Sequence, residues 1–123
     1  MPKLTIRTNV DVRTKGLPLF DLAQKLTSLV ADIFGKPASH VAVDVQDGQF
    51  LTFAGTEDPC ALCELLSIGG INLESNTRFS AALSEVLAAL GVPKTRYYVT
   101  FVDADRANIG YNAATFANQP KAE

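Results

Sequence analysis

The feature of this sequence that most constrains its fold is a strand–helix–strand pattern that occurs twice in succession. In the first half, residues 3–8 alternate between apolar and polar side chains, with Leu4 and Ile6 on one face. An apolar stripe with three- and four-residue spacing runs over residues 19–33, and valines alternate with other residues over 41–46. A period of two is typical of a strand and a period near 3.6 of an amphipathic helix. The first half therefore predicts a β-α-β unit.

The second half has the same order of elements. Residues 62–68 are mostly apolar, which predicts a central strand buried on both faces. A helical stripe follows over residues 79–90, and Asn72 or Ser75 is the candidate N-cap of that helix. Residues 97–102, rich in Tyr, Val and Phe, predict the last strand. This half therefore predicts a second β-α-β unit.

The residues that end the two helices also repeat. Gly35-Lys36-Pro37 follows the first helical stripe, and Gly91-Val92-Pro93 follows the second. Right-handed crossovers in both units place the two helices on one face of the sheet. We therefore predict an α/β fold: two tandem β-α-β units that form one mixed four-stranded sheet with two antiparallel helices on one face. A chain of 123 residues fits a single domain over residues 1–123, in which we expect residues 118–123 to be a flexible tail.

This arrangement leaves the other face of the sheet without helices. Because the predicted strands are rich in Val, Leu and Tyr, we expect that face to be apolar. A bare apolar sheet is unfavourable in a monomer. The sequence therefore predicts an oligomer.

Charge and hydropathy exclude several classes of protein. Eleven basic and thirteen acidic residues give a net charge of -2, without the basic excess that nucleic-acid binders usually show. No stretch approaches the roughly 20 apolar residues that a membrane span needs. The N-terminal segment lacks the apolar core and cleavage site of a signal peptide. We therefore expect a protein made in the cytoplasm that inserts in no membrane and that, if it acts outside cells, is secreted by a non-classical route.

Few side chains offer chemistry of their own. His40 is the one histidine, and no His, Cys, Asp or Glu cluster has metal-ligand spacing, so we expect neither a metal nor a cofactor. Cys60 and Cys63 form a CxxC motif, but a redox pair requires a helix N-terminus that lowers the thiol pKa. The pair lies at the start of a predicted strand, which favours two buried thiols. A thiol oxidoreductase remains an alternative.

Pro2 is the remaining candidate for catalysis. Proline is small enough that an initiator methionine before it is normally removed, which leaves a secondary amine at the chain end. Such an amine is a base and a nucleophile if it loses its proton near neutral pH. Apolar surroundings and a nearby cation both lower the pKa of an amine in this way.

Several segments, in their order and spacing, carry a family resemblance. The chain resembles the macrophage migration inhibitory factor and D-dopachrome tautomerase family over nearly its whole length, and is closer to the migration inhibitory factor branch because of its PCALC motif. The carrying segments are Met1-Pro2, Thr8-Asn9-Val10, Gly35-Lys36-Pro37, Pro59-Cys60-Ala61-Leu62-Cys63, Ser67-Ile68-Gly69, Ala107-Asn108-Ile109-Gly110-Tyr111-Asn112 and Thr115-Phe116-Ala117.

The resemblance implies a tautomerase fold, a homotrimer, and active sites between neighbouring subunits. It implies that Pro2 is the catalytic base in the tautomerisation of a small α-keto or enol acid, or of a dopachrome-like substrate. Lys36 would attract the substrate carboxylate, and the backbone N–H of Ile68 would bind the substrate. Tyr98 would enter the site from the adjacent subunit, and the apolar wall would consist of Ile109, Tyr111 and Phe116.

The chain departs from the vertebrate pattern of that family at four positions near the implied site, namely Lys3, His40, Thr100 and Tyr111. Lys3 adds a cation near Pro2, and we expect it to lower the pKa of the Pro2 amine further. The resemblance also implies a second class of function, a secreted cytokine-like immunomodulator that binds a cell-surface receptor of the invariant-chain (CD74-like) type and retains the tautomerase pocket as a vestige.

Overall fold

The computed structural model describes residues 1–119 of the chain. Its regular elements are strand β1 (Pro2–Thr8), helix α1 (Leu19–Phe34), strands β2 (Ala42–Gln46) and β3 (Ala61–Ser67), helix α2 (Leu73–Ala89), strand β4 (Tyr97–Asp103), and the short strands β5 (Gly110–Tyr111) and β6 (Ala114–Thr115). Short 3-10 turns occupy Val12–Lys15, Ala38–His40, Arg106–Asn108 and Phe116–Asn118.

Strands β1 to β4 form one mixed sheet in the order β2-β1-β3-β4. Strand β1 is parallel to β2 and antiparallel to β3, and β3 is parallel to β4. Each helix connects a pair of parallel strands and runs back against them. Because β1 and β3 are antiparallel, the two helices are antiparallel to each other. The predicted pair of β-α-β units in one mixed sheet is confirmed.

The core lies between the two helices and one face of the sheet. Leu4 and Ile6 of β1 and Leu65 of β3 are buried against the apolar stripes of both helices. Phe79 of α2 is fully buried, with its ring centroid 5.6 Å from that of Phe34 in α1. Period-two alternation on the strands and period-3.6 spacing on the helices meet at this layer, which is why both patterns are visible in the sequence.

The ends of the helices depend on local backbone chemistry. Gly35, which ends α1, has a φ of +65°, in the left-handed region that glycine adopts without steric cost. Helix α2 begins after Asn72, whose side-chain oxygen accepts a hydrogen bond of 2.9 Å from the Ser75 N–H. Asn72, rather than Ser75, is therefore the N-cap, and α2 begins well before the first residue of its predicted apolar stripe.

Two expectations about the sheet were wrong. Strand β3 is not buried on both faces: its buried positions alternate with Leu62 and Glu64, which are exposed. The open face is mixed rather than wholly apolar: the β2 valines pack on the helix side and β1 presents Lys3 and Arg7, whereas β3 and β4 expose Leu62 and Tyr98 on that face. The error on β3 arose because its sequence is apolar at nearly every position, which does not show which side chains face outward until its pairing with β1 is known. The expectation of an oligomer therefore rests on the apolar part of this face, where Leu62 and Tyr98 are exposed.

The C-terminal segment contains short regular elements that the sequence analysis did not predict. Strands β5 and β6 form a small hairpin with Asn112 and Ala113 in the left-handed region, at φ of 53° and 61°. Within the predicted flexible tail, Asn118 completes a 3-10 turn, and the Gln119 side chain donates a 2.7 Å hydrogen bond to the Tyr111 carbonyl. The rest of that tail, residues 120–123, lies outside the described residues.

Candidate functional site

Pro2 lies in a pocket of about 330 Å³ at one end of the sheet. The residue is buried and occupies the first position of β1, opposite Ser67 at the end of β3. Three segments form the pocket: the chain start, the turn that leads into β2, and the C-terminal hairpin. The lining residues are Met1, Pro2, Lys3, Ser39, His40, Val41, Ala42, Ile109, Gly110, Tyr111 and Phe116.

The hairpin supplies an aromatic wall to this pocket. The rings of Tyr111 and Phe116 are stacked, with centroids 5.4 Å apart and planes inclined by 12°. The Phe116 N–H donates a 3.0 Å hydrogen bond to the Ile109 carbonyl, and the Phe116 carbonyl accepts a 2.7 Å bond from the Arg106 guanidinium. The wall is therefore held by backbone bonds as well as by ring contact, although Tyr111 itself is largely exposed.

Lys36 and Ile68 meet next to the pocket and are not among its lining residues. Lys36 follows the glycine that ends α1, and its half-buried Nζ donates a 3.0 Å hydrogen bond to the Ile68 carbonyl. Ile68 follows the last residue of β3, and its N–H donates a 3.3 Å hydrogen bond to the Met1 carbonyl. A continuous set of contacts thus joins the Lys36 ammonium to the residue that precedes Pro2.

Tyr98 lies far from Pro2 within one chain. Ser67 pairs with Pro2 on one side and with Asp103 on the other, and Tyr98 lies five residues before Asp103 on β4. At the rise of an extended strand this is a separation of about 17 Å. The Tyr98 side chain is 66% exposed on the open face of the sheet, where its ring centroid lies 4.9 Å from that of Phe53. A single chain does not bring Tyr98 to the pocket.

Nearly the whole of the described chain matches known proteins of one family. Residues 1–117 match the family model described as macrophage migration inhibitory factor (MIF). The chain belongs to the MIF family. A homologue from Trichuris trichiura is 40% identical over 117 residues, covering 94% of this chain and 100% of that protein. The factor from Mus musculus is 41% identical over 118 residues, covering 95% and 100%.

Solved structures of MIF proteins share this fold. The structure of the Trichinella spiralis factor has a TM-score of 0.84 and 38% identity, and the match covers 93% of this chain and 99% of that one. The Toxoplasma gondii structure has a TM-score of 0.83 and 34% identity, with the same coverage. The sequence resemblance to the family is therefore confirmed, and so is the fold that it implied.

The two cysteines of this MIF-family chain are free thiols in the interior. Cys60 precedes β3, and its N–H donates a 2.9 Å hydrogen bond to the Asn9 side chain. Cys63 lies on the helix side of β3, where burial raises the pKa of its thiol to about 12. Neither cysteine lies at the N-terminus of a helix. This environment is the opposite of the one that makes a CxxC thiol reactive at neutral pH.

The pocket contains residues that the sequence analysis did not assign to a site. Ser39, Val41 and Ala42 line it because a short 3-10 turn brings the start of β2 beside the chain start. His40 and Lys3, which the family resemblance implied to be near the site, are exposed and also line the pocket. For Ser39, Val41 and Ala42, the only available signal was their closeness to Gly35-Lys36-Pro37 in the sequence.

Residues 1–119 contain neither a metal-ligand cluster nor a membrane-spanning helix. No group of three or more His, Cys, Asp or Glu side chains in this part of the chain is placed to hold a metal ion. Neither helix there combines the length and the apolar character that a membrane crossing requires.

Proposed function

We propose that this protein is a keto–enol tautomerase, an isomerase whose general base is the secondary amine of Pro2 and whose substrates are of the phenylpyruvate or dopachrome type. The observation that carries the proposal is the position of Pro2, buried at the start of β1 in a pocket with a stacked aromatic wall. A proline nitrogen at a chain end is a base, and apolar surroundings favour its neutral form.

Removal of Met1 is the step that creates this base. With Met1 attached, the Pro2 nitrogen is an amide and cannot accept a proton. The Met1 carbonyl is also the acceptor for the Ile68 N–H, at 3.3 Å. Loss of Met1 therefore releases the Pro2 nitrogen from its acyl group and takes away this acceptor of the Ile68 N–H. A base and a backbone donor then lie side by side, which suits a reaction that develops negative charge on a carbonyl oxygen.

The proposed reaction moves one proton. The neutral Pro2 amine takes a proton from the carbon beside the substrate carbonyl and returns it at the other end of the enol. Lys36 attracts the substrate carboxylate through its positive charge. Its ammonium donates a 3.0 Å hydrogen bond to the carbonyl of Ile68, which places the charge next to the residue that offers the N–H. The wall of Ile109, Tyr111 and Phe116 limits water around the base. No metal ion or cofactor takes part.

The proposed active unit is a homotrimer. Tyr98 is exposed, and it lies about 17 Å along the sheet from the Pro2 of its own chain. A neighbouring subunit that packs against the open face would bring its Tyr98 to this pocket, as the family resemblance implies. Sedimentation equilibrium of the purified protein tests this: a trimer mass supports the proposal, and a monomer mass contradicts it.

The test of the base is the variant Pro2→Gly, prepared with Met1 removed and checked by intact mass. General-base catalysis contributes roughly 10²- to 10⁴-fold to a rate. We expect a loss of kcat/KM for phenylpyruvate tautomerisation of about 10²-fold or more, and full loss in a sample that retains Met1. The control is Pro18→Gly, an exposed proline before α1 and outside the pocket, with wild-type activity expected. A folded, processed Pro2→Gly protein with wild-type activity would refute the proposal.

A second function, receptor binding, is favoured by the names of the relatives, since several are macrophage migration inhibitory factors at up to 41% identity. In that case the protein would act as a cytokine-like ligand of an invariant-chain type receptor, released from the cytoplasm by a non-classical route. The same Pro2→Gly variant separates the two functions. Binding of the variant to an immobilised receptor ectodomain, together with lost tautomerase activity, would show that the pocket is not needed for recognition.

A further inference from the structure

Arg96 makes an unusual set of contacts just before strand β4. Its guanidinium group donates to four backbone carbonyls: Phe53 at 3.0 Å, Asp58 at 2.9 Å, Pro59 at 3.1 Å and Thr56 at 3.4 Å. All four belong to residues 53–59, called here the 53–59 loop. A planar fork with five N–H donors can serve several acceptors at once, whereas a lysine ammonium presents a single nitrogen.

The 53–59 loop has little regular structure of its own. A single pair of hydrogen bonds, 3.0 and 3.1 Å long, joins Phe53 to Thr56 across a tight turn. The two residues inside that turn, Ala54 and Gly55, have φ of 52° and 76°. The left-handed conformation is costly for alanine and persists only where surrounding contacts maintain it. The bonds from Arg96 are contacts of this kind.

The ring of Phe53 lies between Arg96 and Tyr98. The Arg96 guanidinium carbon is 5.5 Å from the centroid of the Phe53 ring. The centroid of the Tyr98 ring lies 4.9 Å from that of the Phe53 ring, and the two ring planes are inclined by 43°. The Tyr98 side chain is otherwise 66% exposed, so in the isolated chain this ring contact limits its orientation. Arg96 thus binds both the loop and the residue that contacts Tyr98.

We propose that Arg96 is a positioning residue: through the 53–59 loop it holds Phe53 against Tyr98, and so orients the tyrosine that one subunit presents to its neighbour's pocket. The inference rests on the proposed function, which assigns Tyr98 to that pocket. A side chain ordered before the substrate arrives loses less conformational entropy on binding. The contribution of Arg96 therefore belongs to substrate affinity more than to the chemical step.

The test is a double-mutant cycle with Arg96→Lys and Tyr98→Ala in the trimeric, Met1-processed protein. In the wild-type background, we expect Arg96→Lys to lower kcat/KM three- to tenfold, mainly through KM, which matches the usual contribution of an aromatic pair. In the Tyr98→Ala background, we expect no further loss, since no tyrosine remains to be oriented. Arg78→Lys, on the exposed surface of α2, is the matched control and should leave both backgrounds unchanged.

Phe53→Leu provides a second variant that keeps every carbonyl acceptor of Arg96 and removes the contacts of the Phe53 ring with Tyr98 and with the Arg96 guanidinium. We expect the same loss, again absent in the Tyr98→Ala background. It decides the question if Arg96→Lys fails to assemble. Equal losses with and without Tyr98, or no loss from Phe53→Leu, would overturn the inference. Failure of the proposed function is read separately, from the activity of Pro2→Gly.

Discussion

Cys63 gives a quantitative prediction about how stability depends on pH. Its thiol lies on the helix side of β3, 6% exposed, and burial raises its pKa from 9.0 to about 12. Below pH 9 the thiol is neutral in both the folded and the unfolded chain, so ionisation does not affect stability. Between pH 9 and 12 the unfolded chain loses this proton while the folded chain retains it. The free energy of unfolding therefore falls as pH rises through this window.

The size of the effect follows from the two pKa values. A pH of 10.5 lies about 1.5 units above the pKa of 9.0 that the thiol has in the unfolded chain and well below its pKa in the folded chain. This difference corresponds to about 2 kcal/mol of lost stability. Tyrosines and lysines also titrate there, so the comparison needs the variant Cys63→Ala. We expect wild type to lose about 2 kcal/mol more than Cys63→Ala between pH 8 and pH 10.5. The measurement is urea unfolding followed by far-UV circular dichroism, at one protein concentration.

Equal losses for the wild type and Cys63→Ala would show that the thiol is not buried as described. They would also reopen the interpretation of the CxxC motif as a redox pair. The rise in the pKa of Cys63 from 9.0 to about 12 lowers its thiolate fraction near neutral pH about a thousandfold, so Cys63 lacks the thiolate that thiol exchange needs. We therefore expect that any disulfide reductase activity of the wild type is unchanged in the variants Cys60→Ser and Cys63→Ala.

Two further predictions test the site and the fold. Lys3→Met removes a cation from the pocket that holds Pro2, which raises the pKa of the Pro2 amine. We therefore expect the acid limb of the tautomerase pH–rate profile to move to higher pH by roughly 0.5 unit. An unmoved limb would exclude an effect of Lys3 on the base. Thr8→Val keeps the shape of a fully buried side chain but removes its hydroxyl, which donates to the Cys60 carbonyl at 2.8 Å and accepts from the Val10 N–H at 3.2 Å. We expect a loss of about 1–3 kcal/mol in urea unfolding, against little change for the exposed control Thr95→Val; an unchanged midpoint for Thr8→Val would contradict this account.

Much of the fold was predictable because its signals are local. Alternation over residues 3–8 and the apolar stripe of α1 each reflect one face in contact with the core. Gly35 marked the end of α1 because only a few residues adopt the left-handed conformation at low cost. The start of α2 was placed less well, since Asn72 and Ser75 both fit an N-cap and only the observed hydrogen bond distinguishes them.

The candidate site, too, was predictable only in part from the sequence. The sequence by itself determined that the chain forms two β-α-β units, and that Pro2 and the aromatic residues near the C-terminus resemble those of a known family. It did not determine that the open face combines polar and apolar residues, because the largely apolar sequence of β3 does not show which of its side chains face outward. Nor did it show that Arg96 binds the carbonyl of Phe53, 43 positions away, or that Ser39 and Val41 share a pocket with Pro2. Such contacts join distant residues through single hydrogen bonds and ring faces, which leave no periodic pattern in the sequence, and only the tertiary structure decides them.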